Sequence, residues 1–409
     1  RALWTCPHKY VCAWAGRGSG KTELAKRRLV RYLAVKKPWP DPKYFFAAPV
    51  REQAKRIAWE HLKSLVPKSW LAGNPLEGDL IIKTRFGSWL YVIGLDRPYR
   101  AEGVQWDGGV VDECSDIRPG AVEKSFLPAM THRDPWLWQI GVPKRSGIGA
   151  RAYRQACEEA LTRGAGFTWP SRDIVQPGVL ARLAKLLDPK DFREQFEASF
   201  ENASGGVFYC FNREYNVRPV TYYDTKPIVV GSDFNVDPMC WILAHRYQEK
   251  FEVFDEIVLR NTNTAAALET LWQRYQHHKG GFEFYGDATA GARKTSAATS
   301  DYQQIMAHPK FVKAGRSVHY PKANPKKVDR FAACNAMLCN AAGDRRLFVD
   351  PRCKFLIDDL EQRAYAEGTR ETDDEGDVGH ITDALGYPVY RLYPIKVDTN
   401  ELQTISISG

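Results

Sequence analysis

The sequence has little that would mark a membrane protein or a disulfide-stabilised secreted protein. It contains no run of about 18 apolar residues and no visible signal peptide, so we expect no membrane partner. Its nine cysteines include no Cys-x-x-Cys pair, and no pair of histidines accompanies the closest two, Cys334 and Cys339. This pattern argues against a zinc site and favours reduced thiols in a cytosol-like compartment. Because the first residue is Arg1 rather than Met, we interpret the chain as a fragment or a trimmed form.

The charge balance is moderately basic. The 409 residues include 58 Lys and Arg against 49 Asp and Glu, which gives a net charge of +9 and a pI near 9.0. Such an excess favours a polyanionic partner, nucleic acid before any other, although a solvated basic surface without a ligand is the alternative interpretation. With 44% hydrophobic and 12% aromatic residues, the chain is large enough for two or three domains with their own cores.

The glycine-rich stretch 15–22 predicts a phosphate-binding loop. It follows the apolar run 10–14, which predicts a strand, and precedes a predicted helix. In this order, backbone N–H groups and the positive end of the helix face an anion, Lys21 reaches the outer phosphates and Thr22 holds Mg²⁺. Ala15 replaces the Gly that opens the usual pattern, and a glycine turn before an ordinary helix is the alternative. The predicted nucleotide-binding residues of the loop are Gly16, Arg17, Gly18, Ser19, Gly20, Lys21 and Thr22.

Alternating strands and helices follow the loop. A helix with an apolar face ends at a group of prolines, and apolar runs then predict strands at 44–48, 80–82, 89–93 and 136–143. This alternation predicts an α/β fold with a mostly parallel sheet. The strand at 136–143 ends in a turn, which either senses the state of a bound nucleotide or is simply a strand end.

The segment 108–113 is an apolar strand that ends in Asp112 and Glu113. Downstream of a phosphate loop, Asp112 is predicted to bind Mg²⁺ and Glu113 to polarise the water that attacks the γ-phosphoryl group. A chance Val-Val-Asp-Glu is the alternative interpretation. Arg100, like Arg97 and Arg17, is a candidate for stabilising charge on the transferring phosphoryl group, although a surface arginine is the simpler interpretation.

Composition also suggests domain boundaries. Residues 150–203 have a helical, charged pattern interrupted by prolines, and the run Ser-Gly-Gly at 204–206 indicates a flexible joint. We therefore predict a P-loop ATPase core at 1–149, a helical lid or linker subdomain at 150–203, an inter-domain linker at 204–226 and a second α/β domain at 227–409.

The second half has strands, a helix and carboxylates in a particular order. The segment begins with three predicted strands, a helix near 264–277 and a fourth strand. Asp233 ends the first of these strands and Asp287 ends the fourth, and a later helix carries Asp383. This is the order of an RNase H-like nuclease. If the first and fourth strands are neighbours, such carboxylates hold two Mg²⁺ or Mn²⁺ ions about 4 Å apart, which activate water and stabilise the leaving oxygen of a phosphodiester. Each Asp alone is otherwise a cap or a surface residue. Asp237, Asp377 and His380 lie close to these carboxylates in the sequence and are candidates to assist them, although capping or surface roles are the simpler interpretation.

Between the second and third carboxylates lies a basic segment with aromatic residues. Basic residues among loop prolines and glycines suit contact with a phosphate backbone, with little reading of bases; a solvated loop face is the alternative. The basic residues are Arg293, Lys294, Lys310, Lys313, Arg316, Lys322, Lys326, Lys327 and Arg330.

Taken together, the segments 15–22, 110–113, 231–233, 286–289 and 379–384 resemble the large terminase subunit of tailed bacteriophages, the ATPase and nuclease that packages DNA. The resemblance spans nearly the whole chain and depends on both halves occurring together. It implies ATP as the nucleotide, with Lys21 and Thr22 as phosphate and Mg²⁺ ligands and Glu113 as the catalytic glutamate. It further implies that Asp233, Asp287 and Asp383 are the nuclease metal ligands.

The resemblance also implies partners and a location. These are double-stranded DNA, the portal protein of the procapsid, a small terminase subunit and a ring-shaped homo-oligomer during packaging, all in the host bacterial cytoplasm. The segment 141–143 resembles the coupling motif, with Val142 where Thr is common. Only nine residues precede the first predicted strand, where the family usually has an adenine-contacting segment. The residues that contact adenine are therefore not located by the sequence. A nucleotide or small-molecule kinase with an appended binding domain, and a non-catalytic assembly protein, are the competing interpretations.

Overall fold

The apolar runs of the sequence form two β-sheets, one in each of two compact units. The first unit comprises described residues from 2 to 180 and from 193 to 201, and the second those from 181 to 192 and from 205 to 395. The structure is a computed structural model, and it describes residues 2–97, 103–126, 133–145, 147–201, 205–291, 299–319, 321–366, 371–372, 374 and 377–395.

The sheet of the first unit has seven strands in the order β3-β4-β2-β5-β6-β1-β7. Of these described strands, only β3 is antiparallel to its neighbour. The central strands are buried along most of their length, as expected for parallel strands covered by helices on both faces. The strands are β1 Tyr10–Ala15, β2 Lys43–Ala48, β3 Ile81–Lys83, β4 Trp89–Gly94, β5 Gly108–Val111, β6 Trp136–Gly141 and β7 Gly166–Trp169.

Eight helices belong wholly or partly to the described first unit. The short α3 and α4 continue into one another through a π-helical segment, Lys55–Trp59. The apolar residues Ala25, Leu29 and Leu33 recur at helical spacing on α2 and are buried, which explains why that segment packs as a helix on the sheet. The helices are α1 Ala2–Thr5, α2 Lys21–Leu33, α3 Arg51–Ala54, α4 Glu60–Leu65, α5 Ala121–Ser125, α6 Ala150–Thr162, α7 Pro177–Leu186 and α8 Pro189–Phe196.

Two glycines in β5 have a packing role that the sequence did not reveal. A Cβ atom added at Gly109 would lie 2.4 Å from the ring of Phe45, and one added at Gly108 would lie 2.3 Å from the indole of Trp136. Such distances are far inside van der Waals contact, so a side chain at either position would displace an aromatic ring of the core. The glycines therefore allow the strand that precedes Asp112 to lie between two large rings.

The structure differs from the predicted helical subdomain at 150–203. Residues 166–169 form the edge strand β7, which pairs in parallel with β1, and α6 packs against both strands. The four-residue strand is too short to show the alternation by which we recognised longer strands. Residues 181–192 cluster with the second unit rather than with the first.

The sheet of the second unit has six strands in the order β12-β11-β8-β9-β10-β13. β8, β9 and β10 form an antiparallel meander, while β11 joins β8, β12 joins β11 and β13 joins β10 in parallel. The predicted order of three strands, a helix and a fourth strand is observed. The strands are β8 Ile228–Asp233, β9 Met239–Tyr247, β10 Lys250–Leu259, β11 Phe282–Gly286, β12 Arg316–His319 and β13 Leu347–Val349.

Helices cover the second sheet, and α15 lies against β8, β9 and β11. None of the helices in the described part of the chain is long and apolar enough to cross a membrane. The helices are α9 Arg213–Asn216, α10 Thr264–Tyr275, α11 Asp301–Ala307, α12 Pro309–Ala314, α13 Lys327–Leu338, α14 Lys354–Gln362 and α15 His380–Leu392.

The segment predicted to be a linker, 204–226, is largely packed. Val207 and Phe208 are buried in the core of the second unit, where the ring of Phe208 lies 5.6 Å from that of Phe331. The Val207 N–H donates to the carbonyl oxygen of Arg363 at 2.8 Å. The glycines that suggested a joint are followed by an apolar run, and burying that run outweighs the flexibility of the glycines.

A buried histidine makes the second unit sensitive to acid. His245 on β9 is fully buried and stacks on Phe254 at 4.6 Å. Its Nε2 accepts from the Tyr223 N–H at 3.0 Å, and its Nδ1 donates to the Pro227 carbonyl oxygen at 3.0 Å. Both ring nitrogens are therefore used in the neutral form, and burial, which penalises the charged form, lowers the pKa of His245 to about 4.

We expect the free energy of unfolding of the second unit to fall by about 3 kcal/mol more in the parent than in His245→Gln between pH 6.5 and pH 4. The unfolded histidine takes up a proton near its usual pKa of 6.5, whereas the folded one does so only near pH 4, so stability present above pH 6.5 is lost as the pH falls. Glutamine keeps a donor and an acceptor but does not titrate. Urea unfolding followed by circular dichroism measures the effect; equal pH slopes for the two proteins would contradict it.

Candidate functional site

The phosphate-binding loop lies between the end of β1 and the start of α2, as predicted. Its backbone is held by the segment that contains β7: the Gly16 N–H donates to the Trp169 carbonyl oxygen at 3.1 Å, and the Trp169 indole N–H donates to the Ser19 carbonyl oxygen at 2.9 Å. The Ser171 hydroxyl donates to the Arg17 carbonyl oxygen at 2.7 Å. The strand that the sequence analysis missed therefore positions the loop. The pattern offered no signal for this role, because 150 residues separate Ser19 from Trp169.

Several polar groups of the loop are buried without a protein partner. Among the described residues, neither the Ser19 Oγ nor the Arg17 Nε has a hydrogen-bond partner, although both atoms are shielded from solvent. Lys21 is only 7% exposed and lies near the carboxylate of Asp112. Buried donors that lack a partner are costly, so this arrangement favours an anionic ligand at the start of α2.

The predicted magnesium ligands of the first unit lie in direct contact. The Thr22 hydroxyl donates to the Asp112 Oδ2 at 2.7 Å, and the Glu113 N–H donates to the Asp112 Oδ1 at 2.8 Å. The parallel sheet brings them together, because β1 and β5 run in the same direction with β6 between them. Glu113 has a φ of +54°, in the left-handed region that is costly for a residue with a side chain. This backbone turn ends the strand and sets the glutamate apart from the buried aspartate.

The electrostatics of Asp112 fit a cation. Burial, followed by the charge of Glu113, raises the pKa of Asp112 to about 6, although Lys21 and the Thr22 hydroxyl act in the opposite direction. A hard divalent cation prefers oxygen ligands, and a carboxylate beside a hydroxyl at the end of a phosphate loop supplies them. The residues present therefore fit Mg²⁺ bound together with a nucleotide phosphate.

The segment 141–143, which resembles a coupling motif, is linked to the loop that follows Glu113. The Ser115 hydroxyl, two residues after Glu113, donates to the Val142 carbonyl oxygen at 2.8 Å. Lys144, which directly follows the segment 141–143, lies 3.9 Å from the Glu113 carboxylate and forms an ion pair with Asp116. Sequence reasoning missed Lys144, although its position directly after the predicted turn was a usable signal.

The arginine candidates have different outcomes. Arg17 lies in the loop, where its backbone N–H donates to the Gln195 carbonyl oxygen at 2.6 Å. Arg97 is exposed at the end of the β4 turn. Arg100 lies outside the residues that the structure describes, so its role stays a prediction.

The second unit brings two of the predicted carboxylates to one edge of its sheet. β8 and β11 are parallel neighbours, and Ser232 pairs with Gly286 in their register. Asp233 and Asp287 therefore follow at the same carboxyl edge, where parallel strands place their last residues side by side. The predicted adjacency of the first and fourth strands is observed.

The third carboxylate reaches this edge because α15 approaches β8 closely. A Cβ atom added at Gly231 would lie 2.2 Å from the carbonyl oxygen of Ala384, so only glycine allows this contact. Asp383, one residue earlier on α15, is then held by two buried arginines: its Oδ1 accepts from Arg363 at 2.9 Å and lies 3.2 Å from Arg330.

Asp233 is surrounded by charged groups. The His380 Nδ1 lies 3.0 Å from the Asp233 Oδ2. Burial raises the pKa of Asp233; His380 opposes this shift through its hydrogen bond and charge, whereas Asp383 and Asp287 add to it. The three carboxylates are thus close enough to repel one another, which is the usual condition of an acidic site that holds cations.

The side chains do not form a closed metal-binding set. Among the described residues, no group of three or more His, Cys, Asp and Glu side chains is arranged to hold a metal ion. The Asp287 carboxylate instead accepts from the Thr289 hydroxyl and from the Ala290 N–H at 3.3 Å, and Asp383 is held by its arginines. The donor chemistry and the shared sheet edge fit divalent cations, whereas binding them would require Asp287 to exchange these internal hydrogen bonds.

Other predicted residues near this edge have local partners. Arg260 forms a two-point ion pair with Asp377 and lies 3.5 Å from Asp237, so both aspartates are structural surface residues here. His380, by contrast, contacts Asp233 directly. Sequence reasoning missed Arg363 altogether. It directly follows the amphipathic helix α14, and an arginine at the end of such a helix is not recognisable as buried from the sequence.

The basic segment divides into internal and exposed residues. Lys310 pairs with Glu269, Arg316 donates to the Met306 carbonyl oxygen, Lys327 pairs with Asp374 and Arg330 contacts Asp383. Arg293 and Lys294 lie outside the described residues. Lys327 is exposed in spite of its ion pair, and the exposed basic residues for which no partner is given above are Lys313, Lys322 and Lys326.

Comparison with known proteins gives the fold. No protein-family model and no curated protein sequence matches the chain. The structure is similar to that of the large terminase from a thermophilic bacteriophage, with a TM-score of 0.57, 14% identity, and coverage of 96% of this chain and 97% of the other. It is also similar to the same phage protein in complex with ATP-γ-S, at a TM-score of 0.54 and 15% identity over 95% and 97% of the two chains. For the phage protein in complex with ADP, the TM-score is 0.53 and the identity 14% over 95% and 96%. The chain therefore has the fold of a phage large terminase, with an α/β unit that contains the glycine-rich loop followed by a second α/β unit.

Proposed function

We propose that this chain is a large terminase subunit, in which ATP hydrolysis drives double-stranded DNA into a procapsid and a nuclease centre cuts the concatemeric DNA. The observation that carries the proposal is the presence, in one chain with the terminase fold, of a phosphate loop in contact with Asp112 and a separate edge with three carboxylates. A kinase with a binding domain would have no use for the second site. A purely structural assembly protein would need neither.

In the first unit, the loop residues 16–20 and Lys21 bind the phosphates of ATP, and Thr22 and Asp112 hold the Mg²⁺ that accompanies it. The complexes of the structurally similar thermophilic phage protein with ATP-γ-S and ADP support the binding of a nucleotide by this chain. Magnesium supplies charge neutralisation for the β- and γ-phosphates. Glu113 orients and polarises the attacking water, because its left-handed backbone separates it from the buried Asp112.

One hydrogen bond links the chemistry of the first unit to movement, and one arginine is assigned to the chemistry itself. The hydrogen bond from Ser115 to the Val142 carbonyl oxygen ties the loop that carries Glu113 to the segment 141–143, so a shift of one displaces the other. Arg100 is proposed as the residue that stabilises charge on the transferring phosphoryl group, from the same or a neighbouring subunit.

In the second unit, Asp233, Asp287 and Asp383 would hold two Mg²⁺ or Mn²⁺ ions, which when bound would supply activation of water and charge stabilisation of the leaving oxygen. His380 fixes the orientation of Asp233, and Arg363 fixes that of Asp383. Lys313, Lys322 and Lys326 are exposed and suited to phosphate contacts that carry no sequence preference.

The proposal includes partners and a setting. The chain is expected to act on double-stranded DNA as a ring-shaped homo-oligomer, docked on the portal protein of a procapsid and supplied with DNA by a small terminase subunit. Packaging takes place in the host bacterial cytoplasm. The net charge of +9 supports a polyanionic substrate.

A direct test measures ATP hydrolysis and plasmid cutting by the parent protein. We expect double-stranded DNA to stimulate ATP hydrolysis, linear DNA to appear from plasmid in Mn²⁺, and EDTA to return both activities to background, because both sites require divalent cations. Heparin serves as a polyanion control. Transfer of phosphate to a small acceptor without DNA stimulation would favour the kinase, and loss of both activities would favour the assembly protein.

A further inference from the structure

A cavity of about 180 Å³ opens in the second unit beside the carboxyl end of β11. It lies between that strand, α15 and the loop 321–325. Aromatic rings and one arginine make up most of its wall, and nothing in the proposed cutting reaction uses it. The principal lining residues are Tyr285, Gly286, His319, Tyr387, Tyr390 and Arg391.

The rings of the wall are held in fixed orientations. Tyr285 and His319 are stacked, with ring centroids 4.8 Å apart and planes inclined by 22°. The guanidinium of Arg330 lies 4.4 Å from the centre of the Tyr387 ring. Flat rings that are already ordered offer stacking surfaces at little entropic cost. The cavity is also larger than an apolar cavity of about 150 Å³ that binds benzene, so it admits the six-membered ring that pyrimidine and purine bases share.

The cavity adjoins the carboxylate edge. Gly286, which lines it, directly precedes Asp287. The loop 321–325 is tied to the same place, since the Asn324 Oδ1 accepts from the Ala288 N–H at 2.6 Å. Arg391 is exposed at the rim, and Lys322 on the loop is exposed as well. A ring in the cavity would therefore have cationic groups beside it for its backbone phosphates, and Asp287 one residue away.

We propose that this cavity binds an unpaired nucleobase of the DNA substrate, from the nucleotide next to the phosphate that is cut. The base stacks on the tyrosine rings, and its phosphates contact Arg391 and Lys322. Every base has an aromatic face, so such a pocket tolerates any sequence while fixing the strand relative to the carboxylates. The inference rests on the proposed nuclease function, because it uses the position of Asp287.

The test uses the full chain in EDTA with a duplex that carries one extrahelical 2-aminopurine. We expect the parent to quench the fluorescence of this base and to bind the duplex about tenfold more tightly than the same duplex with an abasic site at the bulge. Tyr387→Leu should lose the quenching and bind both duplexes equally, whereas Tyr387→Phe, which keeps the ring, should behave as the parent. Tyr247→Leu changes an exposed tyrosine outside the cavity and is the matched control.

Equal affinity of the parent for the two duplexes would overturn the proposal, and this comparison needs no variant to fold. Adenosine monophosphate that binds as tightly as the bulged duplex would also overturn it, since the cavity would then be a site for a free nucleotide. Failure of the nuclease assignment is distinguishable: the base would still be quenched in EDTA while plasmid cutting remained unaffected by Asp233→Asn. If the duplexes bind equally but Asp233→Asn abolishes cutting, the cavity proposal fails and the nuclease stands.

Discussion

Asp233→Asn should abolish Mn²⁺-dependent plasmid cutting, by at least about a hundredfold, while ATP hydrolysis continues at the parental rate. Asparagine has nearly the shape of aspartate and can still accept the hydrogen bond from His380, so the change removes mainly one negative charge from the carboxylate edge. Cutting is measured by the appearance of linear DNA, and ATP hydrolysis by release of phosphate.

Lys21→Ala should have the opposite effect: ATP hydrolysis falls by at least about a hundredfold, and plasmid cutting is retained. Lys21 is the nearly buried cation at the start of α2, and the proposed function assigns it to the outer phosphates of ATP. Asp224→Asn and Lys36→Ala, which change exposed residues of the same two types, are the matched controls and should leave both activities unchanged. If Asp233→Asn cuts as well as the parent, the assignment of the metal-binding edge is wrong.

Arg363→Ala should lower the free energy of unfolding of the second unit by about 3–5 kcal/mol. Arg363 is fully buried and donates to Asp374 through two bonds of 3.0 Å, to Asp383 at 2.9 Å and to the Thr382 hydroxyl at 2.8 Å. Burial alone would lower the pKa of Arg363, but the charges of Asp383 and Asp374 outweigh it and raise that pKa. Removal of the guanidinium takes away the buried cation that Asp374 and Asp383 share, and leaves Asp383 with Arg330 and Asp374 with the exposed Lys327.

The matched control for this prediction is Arg213→Ala. Arg213 is 59% exposed and pairs with Asp358 and Glu361, so its loss should cost less than about 1 kcal/mol. Urea unfolding measures both variants. Plasmid cutting by folded Arg363→Ala at low temperature should also fall, because Asp383 loses its orientation, while ATP hydrolysis is unaffected. A cost similar to that of Arg213→Ala would contradict the role of Arg363 as the central cation of this network.

Much of the fold could be predicted because its signals are local. The apolar runs that became β1, β2, β5 and β8 were recognisable, since each is a continuous stretch whose burial drives strand formation. The four-residue β7 was not recognised, because its only support is the pairing with β1. The prediction of a linker at 204–226 does not account for the packing of Val207 and Phe208, because glycine composition says nothing about the core that buries them.

The candidate sites show the same difference between local sequence patterns and tertiary contacts. The sequence alone determined which residues are the candidates for the chemistry: a loop that ends in Lys21 and Thr22, an Asp112–Glu113 pair after a strand, and aspartates that follow strands or begin a helix. These are short-range patterns, in which spacing along the chain fixes the local geometry. Only the tertiary structure decided how those residues are held. Arg363 reaches Asp383 from 20 residues away, Ser171 reaches the loop from 154 residues away, and the aromatic cavity forms from strands, a loop and a helix that are distant in the chain. Such contacts depend on how whole helices and strands pack against one another. The order of residues along the chain does not show this packing directly.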